Sequence, residues 1–240
     1  MRLVVVNPNT TASMTAKIGT AARAVAASGT EIVACNPAMG PVSIEGYYDE
    51  AFCIPGMLEQ IRARPADAYV IACFDDTGLD AARSIAPGPV VGICEAAMHV
   101  ATLVAGSFSV VTTLGRSVPV VEHLARKYGF AHHMRRARAA EVPVLALEDP
   151  ASDARAKLCA EIGRALAEDR PEAIVLGCAG MADLARDLSV EFGLPVIDGV
   201  AAAVKLAEGL AALGLATSRR GGYAMPDAKR YTGDFARFAP

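Results

Sequence analysis

The sequence predicts an α/β protein with two pseudo-symmetric lobes, each a mainly parallel sheet flanked by helices, and a ligand site in the cleft between them. Two observations support this fold class. Short β-branched apolar runs alternate with alanine-rich segments along the 240 residues, which is typical of parallel sheets covered by helices on both faces. In addition, landmarks of the first half recur in the second half at an offset of 105 or 106 residues.

Eight short apolar runs bounded by turn residues are predicted to be strands. They lie near residues 2–6, 30–35, 68–72, 89–92, 107–111, 131–138, 173–177 and 194–197. The longer alanine-rich segments are predicted to be helices, near 11–27, 48–63, 77–86, 94–104, 116–128, 151–168, 180–191 and 198–213. The final residues, after Arg219 and Arg220, are expected to form a partly irregular tail.

The repeat rests on three landmarks that keep the same order in both halves. Residues 3–10 correspond to 108–115, Cys73 corresponds to Cys178, and 89–92 correspond to 195–198. We interpret this as an internal duplication. It divides the chain into an N-terminal lobe of residues 1–98 plus 205–240, which carries Cys73, and a C-terminal lobe of residues 99–204, which carries Cys178. In such a fold ligands bind at the carboxyl ends of the strands.

Composition excludes several classes of protein. A net charge of −3 gives no electrostatic footprint for nucleic acid or an acidic membrane. No run reaches the roughly 18 apolar residues of a membrane span, and the first apolar run is too short for a signal peptide, so we expect a cytoplasmic protein. Its six cysteines are expected to be reduced. The basic run 135–138 is interpreted as a surface or edge strand.

The cysteine pattern also argues against a metal site. The chain has no Cys-x-x-Cys pair and no His-x-x-x-His spacing. His132 and His133 are adjacent, so in a strand they would face opposite ways. We therefore expect no metal.

Cys73 and Cys178 are the candidate catalytic residues. Each follows an apolar strand and precedes a turn and a helix, so a duplicated fold could direct both thiols into one cleft from opposite sides. Such a pair is suited to moving a proton from one face of a carbon to the other. A lone cysteine at a strand end is usually inert core, and only the matched pair favours function. The other cysteines are interpreted as packing residues: Cys35, Cys53, Cys94 and Cys159.

Polar turns at the same strand ends supply the other candidate site residues. Asn9 and Thr10 follow the first strand, and Thr112, Thr113 and Gly115 follow its counterpart. Each turn leads into a helix N-terminus, whose free N–H groups favour negative charge. That placement is expected to lower the pKa of a thiol and to stabilise an enolate.

Two sets of polar residues keep a structural alternative. Asn7, Asn9, Thr112 and Thr113 could simply cap the helices that follow them. Asp75 and Asp76 could be acids of a first helical turn or could bind a substrate amide.

Four segments carry a family resemblance: residues 7–10, 40–46, 73–79 and 177–181. In this order they resemble the aspartate/glutamate/hydantoin racemase superfamily, and within it the hydantoin and allantoin racemase branch. The resemblance covers nearly the whole chain. It implies two Rossmann-like lobes with the active site in the cleft, no cofactor, and Cys73 and Cys178 as the catalytic pair.

The resemblance also implies a function. We expect a cofactor-independent racemase that inverts C5 of a 5-monosubstituted hydantoin or similar cyclic ureide, with a homo-oligomeric assembly. Allantoin as the physiological substrate, maleate-type cis–trans isomerisation and amino-acid racemisation remain alternatives, and a non-enzymatic binder is the weakest. The expected substrate-binding residues are Asn9, Thr10, Ile44, Phe74, Asp75, Thr112, Thr113, Gly115, Ala179 and Gly180.

Overall fold

Two parallel sheets form the framework of the molecule. The computed structural model describes residues 1–149 and 151–240, and within them the strands form two four-stranded sheets. The first sheet has the order β2-β1-β3-β4, with β1 (Arg2–Val6), β2 (Glu31–Cys35), β3 (Ala68–Ile71) and β4 (Val90–Gly92). The second has the order β6-β5-β7-β8, with β5 (Phe108–Thr112), β6 (Met134–Ala139), β7 (Ala173–Gly177) and β8 (Val196–Asp198). The predicted α/β class is confirmed.

One helix follows each strand. These are α1 (Ala12–Val25), α2 (Tyr47–Arg62), α3 (Leu79–Ile85), α4 (Ile93–Val104), α5 (Val118–Lys127), α6 (Ala154–Glu168), α7 (Ala185–Phe192) and α8 (Gly199–Ala212). The segment predicted as one helix at 180–191 is divided. A single 3₁₀ turn (Ala179–Met181) follows Cys178, and α7 begins only at Ala185. The final residues contain two short 3₁₀ helices in an otherwise irregular segment, as predicted, and most of them are exposed.

The two sheets repeat one pattern in register as well as in order. Val6 of β1 pairs with Ile71 of β3, and Val111 of β5 pairs with Leu176 of β7. The separation is 65 residues in both pairs. Equivalent turns therefore leave both sheets at equivalent places, which is what the repeated landmarks predict.

The last helix of each half packs against the other half. α4 follows the first sheet but packs on β7 and α5, whereas α8 follows the second sheet but packs on α1 and β3. A Cβ added at Gly199 would lie 2.6 Å from the backbone oxygen of Ile93. Ile93 and Gly199 are equivalent in the repeat, so the two helices cross closely at the pseudo-twofold axis.

One apolar core therefore joins the two sheets. It contains the inner faces of both sheets and of helices α1, α4, α5 and α8. Separate clusters lie under α2 and α3 on one side and under α6 and α7 on the other. Val5, which is fully buried in this core, contributes roughly 1.5–3 kcal/mol. The division at residues 98/99 and 204/205 cuts α4 and α8, and it stays a prediction.

The basic run at 135–138 belongs to the edge strand β6. Arg135 and Arg136 are exposed, as expected of a solvated edge. Arg138 is instead buried and pairs with Glu161 and Asp169. Its guanidinium therefore stabilises the contact between β6 and the end of α6.

Candidate active site

A pocket lies where the carboxyl ends of the two sheets face each other. The free space between its lining atoms, together with the open solvent at its mouth, is about 420 Å³. Nine of the predicted site residues line it together: Cys73, Cys178, Asn9, Ile44, Phe74, Asp75, Thr112, Thr113 and Ala179. Both thiols thus reach one space from opposite lobes.

Three predicted residues, Thr10, Gly115 and Gly180, are not among the residues that line the pocket. The Thr10 N–H and hydroxyl both donate to the Pro41 carbonyl, which ties the first turn to the loop at residues 40–46. The Gly115 N–H donates to the Glu141 carboxylate. Gly180 lies beside Cys178, since a Cβ at Gly180 would be 3.7 Å from the Cys178 Sγ. Substrate contact by these three stays a prediction.

The lining includes residues that are not among the predicted substrate-binding residues. The sequence leaves Asn7 as either a helix cap or a ligand-binding residue, and it does not single out the others: Met14, Ala72, Ser117, Val144 and Gly177. Asn7 and Gly177 lie within segments that carried the family resemblance, so those segments contained a signal for them. Val144 lies in a loop after an edge strand, and no local pattern marks it.

Asn7 and Asn9 hold the first turn in shape. The Asn7 amide donates to the Asn9 Oδ1 at 2.8 Å and to the Thr15 hydroxyl at 3.0 Å. The Asn9 Oδ1 also accepts the Thr11 N–H at 2.9 Å. Both side chains are buried and line the pocket. Their structural and ligand-facing roles are therefore compatible.

Thr112 supports Cys178 from the neighbouring strand. Its hydroxyl donates to the Gly177 carbonyl at 2.9 Å. A Cβ at Gly177 would lie 2.7 Å from the Thr112 Cβ, closer than real contacts allow. Glycine at this position lets β7 approach β5 and places Cys178 at the pocket edge.

The Cys73 thiol is buried and lies near the Asp75 carboxylate. Burial raises the pKa of Cys73 well above its usual value, and the Asp75 carboxylate raises that pKa further. The Cys73 Sγ lies 3.7 Å from the Thr77 hydroxyl oxygen. The thiol is therefore protonated in most molecules at neutral pH.

The Cys178 thiol is buried too, but a backbone N–H and a positive charge near it favour the thiolate. Burial raises the pKa of Cys178 to about 11, while the Gly180 N–H and the charge of Lys17 act to lower it. The expectation that a helix N-terminus would lower the pKa of the thiols is wrong for both, because desolvation outweighs the N–H groups. A short 3₁₀ turn after Cys178, in place of a full helix, also reduces the dipole available there.

Asp75 and Asp76 play different parts. Asp75 lines the pocket, and burial together with the charges of Glu50 and Asp76 raises its pKa to about 7. Asp76 points away from the lining and accepts hydrogen bonds from the N–H groups of Cys94 and Glu95 in α4. Asp76 therefore caps α4, whereas an acid in a first helical turn would have acted on α3, the helix that follows it in the chain.

Two loops from opposite lobes close the pocket. Ile44 belongs to the loop after β2, and Val144 begins a short 3₁₀ helix (Val144–Glu148) in the equivalent loop after β6. The Glu45 carboxylate accepts the Val144 N–H at 3.3 Å. The Lys17 ammonium donates to the Leu147 carbonyl in the second loop and forms an ion pair with Asp183. Each lobe therefore contributes one apolar side chain, Ile44 or Val144, to the pocket lining.

Other kinds of site find little support in the described part of the chain. Within residues 1–149 and 151–240, no three His, Cys, Asp or Glu side chains converge as metal ligands would. None of the helices described there has the length and apolarity to span a membrane.

Comparison with known proteins identifies the family. The family model described as Asp/Glu/Hydantoin racemase matches residues 3–207. The chain belongs to this family. The hydantoin racemase of Rhizobium meliloti is 52% identical over 236 residues, covering 97% of this chain and 98% of that protein. The hydantoin racemase of Pseudomonas sp. (strain NS671) is 46% identical, covering 99% and 97%.

A solved structure matches over the same length. The allantoin racemase from Klebsiella pneumoniae is 53% identical with a TM-score of 0.97, covering all of this chain and 99% of that one. The predicted family, the two-lobed fold and the assignment to the racemases are confirmed by these relatives.

Proposed function

We propose that this racemase-family enzyme inverts the C5 stereocentre of a 5-monosubstituted hydantoin or a similar cyclic ureide. The observation that supports this most strongly is the pair of thiols, Cys73 and Cys178. They lie at equivalent strand ends of two repeated lobes and line one pocket. A flat ring bound between them would present one face of C5 to each sulfur.

The reaction is a two-base proton transfer. One cysteine, as a thiolate, takes the proton from C5, and the electron pair of the broken C–H bond moves into the ring as an enolate. The opposite cysteine, as a thiol, then donates its proton to the other face of C5 and becomes the thiolate. One proton is shared by the pair in each productive state, so the titration belongs to the pair. The roles reverse for the other enantiomer.

The turns around the thiols supply groups that can stabilise the enolate. Phe74 and Ala179, which follow the two cysteines, line the pocket together with Asn9 and Thr113, and we propose that their backbone N–H groups and polar side chains face the ring oxygens. Hydrogen-bond donors held in place before the reaction stabilise developing negative charge without reorganisation. The α-proton of a hydantoin ring is fairly acidic, so a thiolate base is adequate and the reaction requires no cofactor or metal.

The raised thiol pKa values limit how much enzyme is reactive at neutral pH. With the pKa of Cys178 at about 11, the free thiolate is a small fraction near pH 7. Racemisation is therefore expected to accelerate as the pH rises from neutral towards that value. Lys17 aids ionisation of Cys178, because its positive charge lowers the thiol pKa.

Allantoin is a second candidate substrate. Relatives named hydantoin racemase and relatives named allantoin racemase match this chain at similar identity. Both substrates are cyclic ureides with one stereogenic ring carbon. The apolar side chains of Ile44, Phe74 and Val144 line the pocket and favour an apolar 5-substituent over the polar ureido group of allantoin.

A polarimetric screen tests this function. The purified enzyme is given single enantiomers of several 5-alkyl and 5-aryl hydantoins, allantoin, glutamate and aspartate, and rotation is followed to zero. Maleate is tested in parallel by its absorbance. We expect racemisation of hydantoins, with allantoin slower. Turnover of glutamate, aspartate or maleate alone would contradict the proposal.

The cysteine pair needs its own control in that screen. Cys159→Ala changes a thiol on α6, outside the pocket lining, and is expected to keep full activity. Cys73→Ala and Cys178→Ala are expected to lose it.

Cell location and assembly stay predictions. We expect a cytoplasmic homo-oligomer that takes a small-molecule substrate. Size-exclusion chromatography with light scattering measures the assembly directly.

A further inference from the structure

Asp76 has an unusual backbone conformation for its residue type. It lies three residues after Cys73 with φ at 46°, in the left-handed region. Few residues other than glycine adopt that region, and aspartate is one of those that tolerate it. The side chain is 5% exposed. A buried carboxylate on a strained backbone needs compensating interactions.

Three hydrogen bonds compensate it, and all come from outside its own turn. The Asp76 carboxylate accepts the Cys94 N–H at 3.0 Å and the Glu95 N–H at 2.9 Å. It also accepts the Tyr128 hydroxyl at 2.8 Å. Cys94 and Glu95 are the second and third residues of α4, so Asp76 satisfies two of the free N–H groups at that helix end.

The pseudo-symmetric helix α8 is capped in a different way. Asp198, the residue just before α8, accepts the N–H groups of Val200 and Ala201, again the second and third helical residues. The equivalent residue before α4 is Gly92. A Cβ at Gly92 would lie 2.3 Å from the Asp76 Oδ1. The Asp76 carboxylate thus occupies the place where α8 has its own cap, but it comes from the Cys73 turn.

This cap connects the Cys73 turn to the other lobe. The Asp76 N–H donates to the Cys73 carbonyl at 3.0 Å, which closes the turn. α4 packs against β7, the strand that leads directly to Cys178. Tyr128 follows α5, which belongs to the second half. One carboxylate therefore joins the turn of the first thiol to the elements that carry the second.

We infer that Asp76 is a positioning residue that holds the Cys73 turn in fixed register with the Cys178 lobe. The inference rests on the two-thiol reaction proposed above and adds a requirement to it. A helix cap alone could be supplied by an aspartate at residue 92, as α8 shows. Supplying it from the Cys73 turn makes the thiol position depend on the same hydrogen bonds.

A double variant in which residues 76 and 92 trade their side chains separates the capping role of the carboxylate from its positioning role. The double variant Asp76→Gly with Gly92→Asp moves the carboxylate to the local cap position and places a glycine where φ is positive. We expect the melting temperature of this double variant to be close to that of the wild type, because α4 keeps a capping carboxylate. We expect racemisation to fall by roughly tenfold to a hundredfold, because a misplaced acid or base loses much of its effect.

The decisive readout is the face of proton exchange. Each pure hydantoin enantiomer is incubated in D₂O, and loss of the C5 proton is followed by NMR. Cys73→Ala defines the enantiomer whose exchange depends on Cys73. In the double variant, we expect the exchange rate of that enantiomer to fall at least tenfold. We expect the exchange rate of the other enantiomer to fall less than threefold.

Asp198→Gly is the matched control. It removes the same two hydrogen bonds from α8, and we expect a melting temperature lower by a few degrees with exchange from both faces kept. Asp76→Asn is measured as well, since it keeps the side-chain shape and decides the question if the double variant does not fold. We expect the same face selectivity from it in a weaker form.

The outcomes are distinct. Wild-type exchange from both faces in a stable Asp76 variant would reduce Asp76 to a helix cap and overturn the inference. Equal loss from both faces would overturn it too, because Asp76 would then act on the whole pocket. Full activity of Cys73→Ala would instead overturn the proposed function itself.

Discussion

The two thiols occupy equivalent places in the repeat, but their surroundings differ in charge. Cys73 lies beside Asp75, whose charge raises the pKa of the thiol. Asp75 also raises the pKa of Cys178, but the Gly180 N–H and the charge of Lys17 lower it. Burial raises the pKa of both. The fold supplies the geometric symmetry, and side chains of the two lobes remove the electrostatic symmetry.

This difference predicts which of the two thiols ionises more readily. The thiolate is more stable at Cys178, near a cation and a backbone donor, than at Cys73, near a carboxylate. We therefore expect Cys178 to ionise more readily than Cys73 in the free enzyme, while most molecules carry both protons near pH 7. If the pair acts as proposed, the enantiomer whose C5 proton faces Cys178 should react faster.

Removal of either sulfur has the largest expected effect. We expect Cys73→Ala and Cys178→Ala each to lower the rate of racemisation by about 10³-fold or more, since each removes a proton-transfer group required for inversion. The comparison is sharpened by deuterium exchange of single enantiomers. Each variant should exchange only the enantiomer that faces its remaining thiol, with Cys178 alone exchanging faster than Cys73 alone. Equal exchange of both enantiomers by either variant would break the comparison.

The second expected effect concerns how each thiol is placed. Gly177 approaches Thr112 too closely to carry a side chain, whereas its equivalent in the first half is Ala72. We expect Gly177→Ala to lower the free energy of unfolding by roughly 1–3 kcal/mol through overpacking and to reduce racemisation several-fold. Ala72→Gly is the matched control, with a cost of about 1 kcal/mol or less. Urea unfolding and polarimetry measure both, and equal stability of the two variants would contradict this explanation.

The third expected effect is electrostatic. Lys17→Met removes the positive charge that lowers the pKa of Cys178, so the rising limb of kcat/KM against pH should move to higher pH. We expect a loss of roughly fivefold at neutral pH. Lys17→Arg keeps the charge and should keep the profile. A shift caused equally by both variants would mean that the contacts of the lysine ammonium itself, such as its hydrogen bond to the Leu147 carbonyl, and not the charge, matter.

The smallest expected effect comes from Asp75, whose charge acts on the thiol pKa values in the opposite direction to that of Lys17. Asp75→Asn removes the charge that raises the pKa of both thiols, so the rising limb should move to lower pH, opposite in sign to Lys17→Met. Because Asp75 also lines the pocket, we expect KM for hydantoins to rise. An unchanged pH profile would show that Asp75 does not influence the thiols.

Much of the fold was predictable because its signals are local. Buried parallel strands such as β1 are continuous apolar runs, and a duplicated chain repeats its turns at one offset. Cys73 and Cys178 could be selected because both halves mark the same place. The thiol pKa values could not be predicted in direction, because burial depends on side chains from distant elements. For the same reason, the sequence did not indicate that Val144, from a distant loop, lines the pocket. It also did not indicate the role of Asp76, whose hydrogen-bond partners belong to α4 and to the residue after α5.

One measurement tests the two-thiol mechanism most directly. Wild-type enzyme and a single enantiomer of a 5-alkyl hydantoin are mixed in D₂O, and C5 isotope content is determined for both enantiomers at low conversion. We expect the newly formed enantiomer to carry deuterium at C5 while the remaining substrate retains protium, since one sulfur removes the proton and the other delivers a deuteron from solvent. Substantial protium in the newly formed enantiomer would mean that one group carries the proton across, which contradicts two bases on opposite faces.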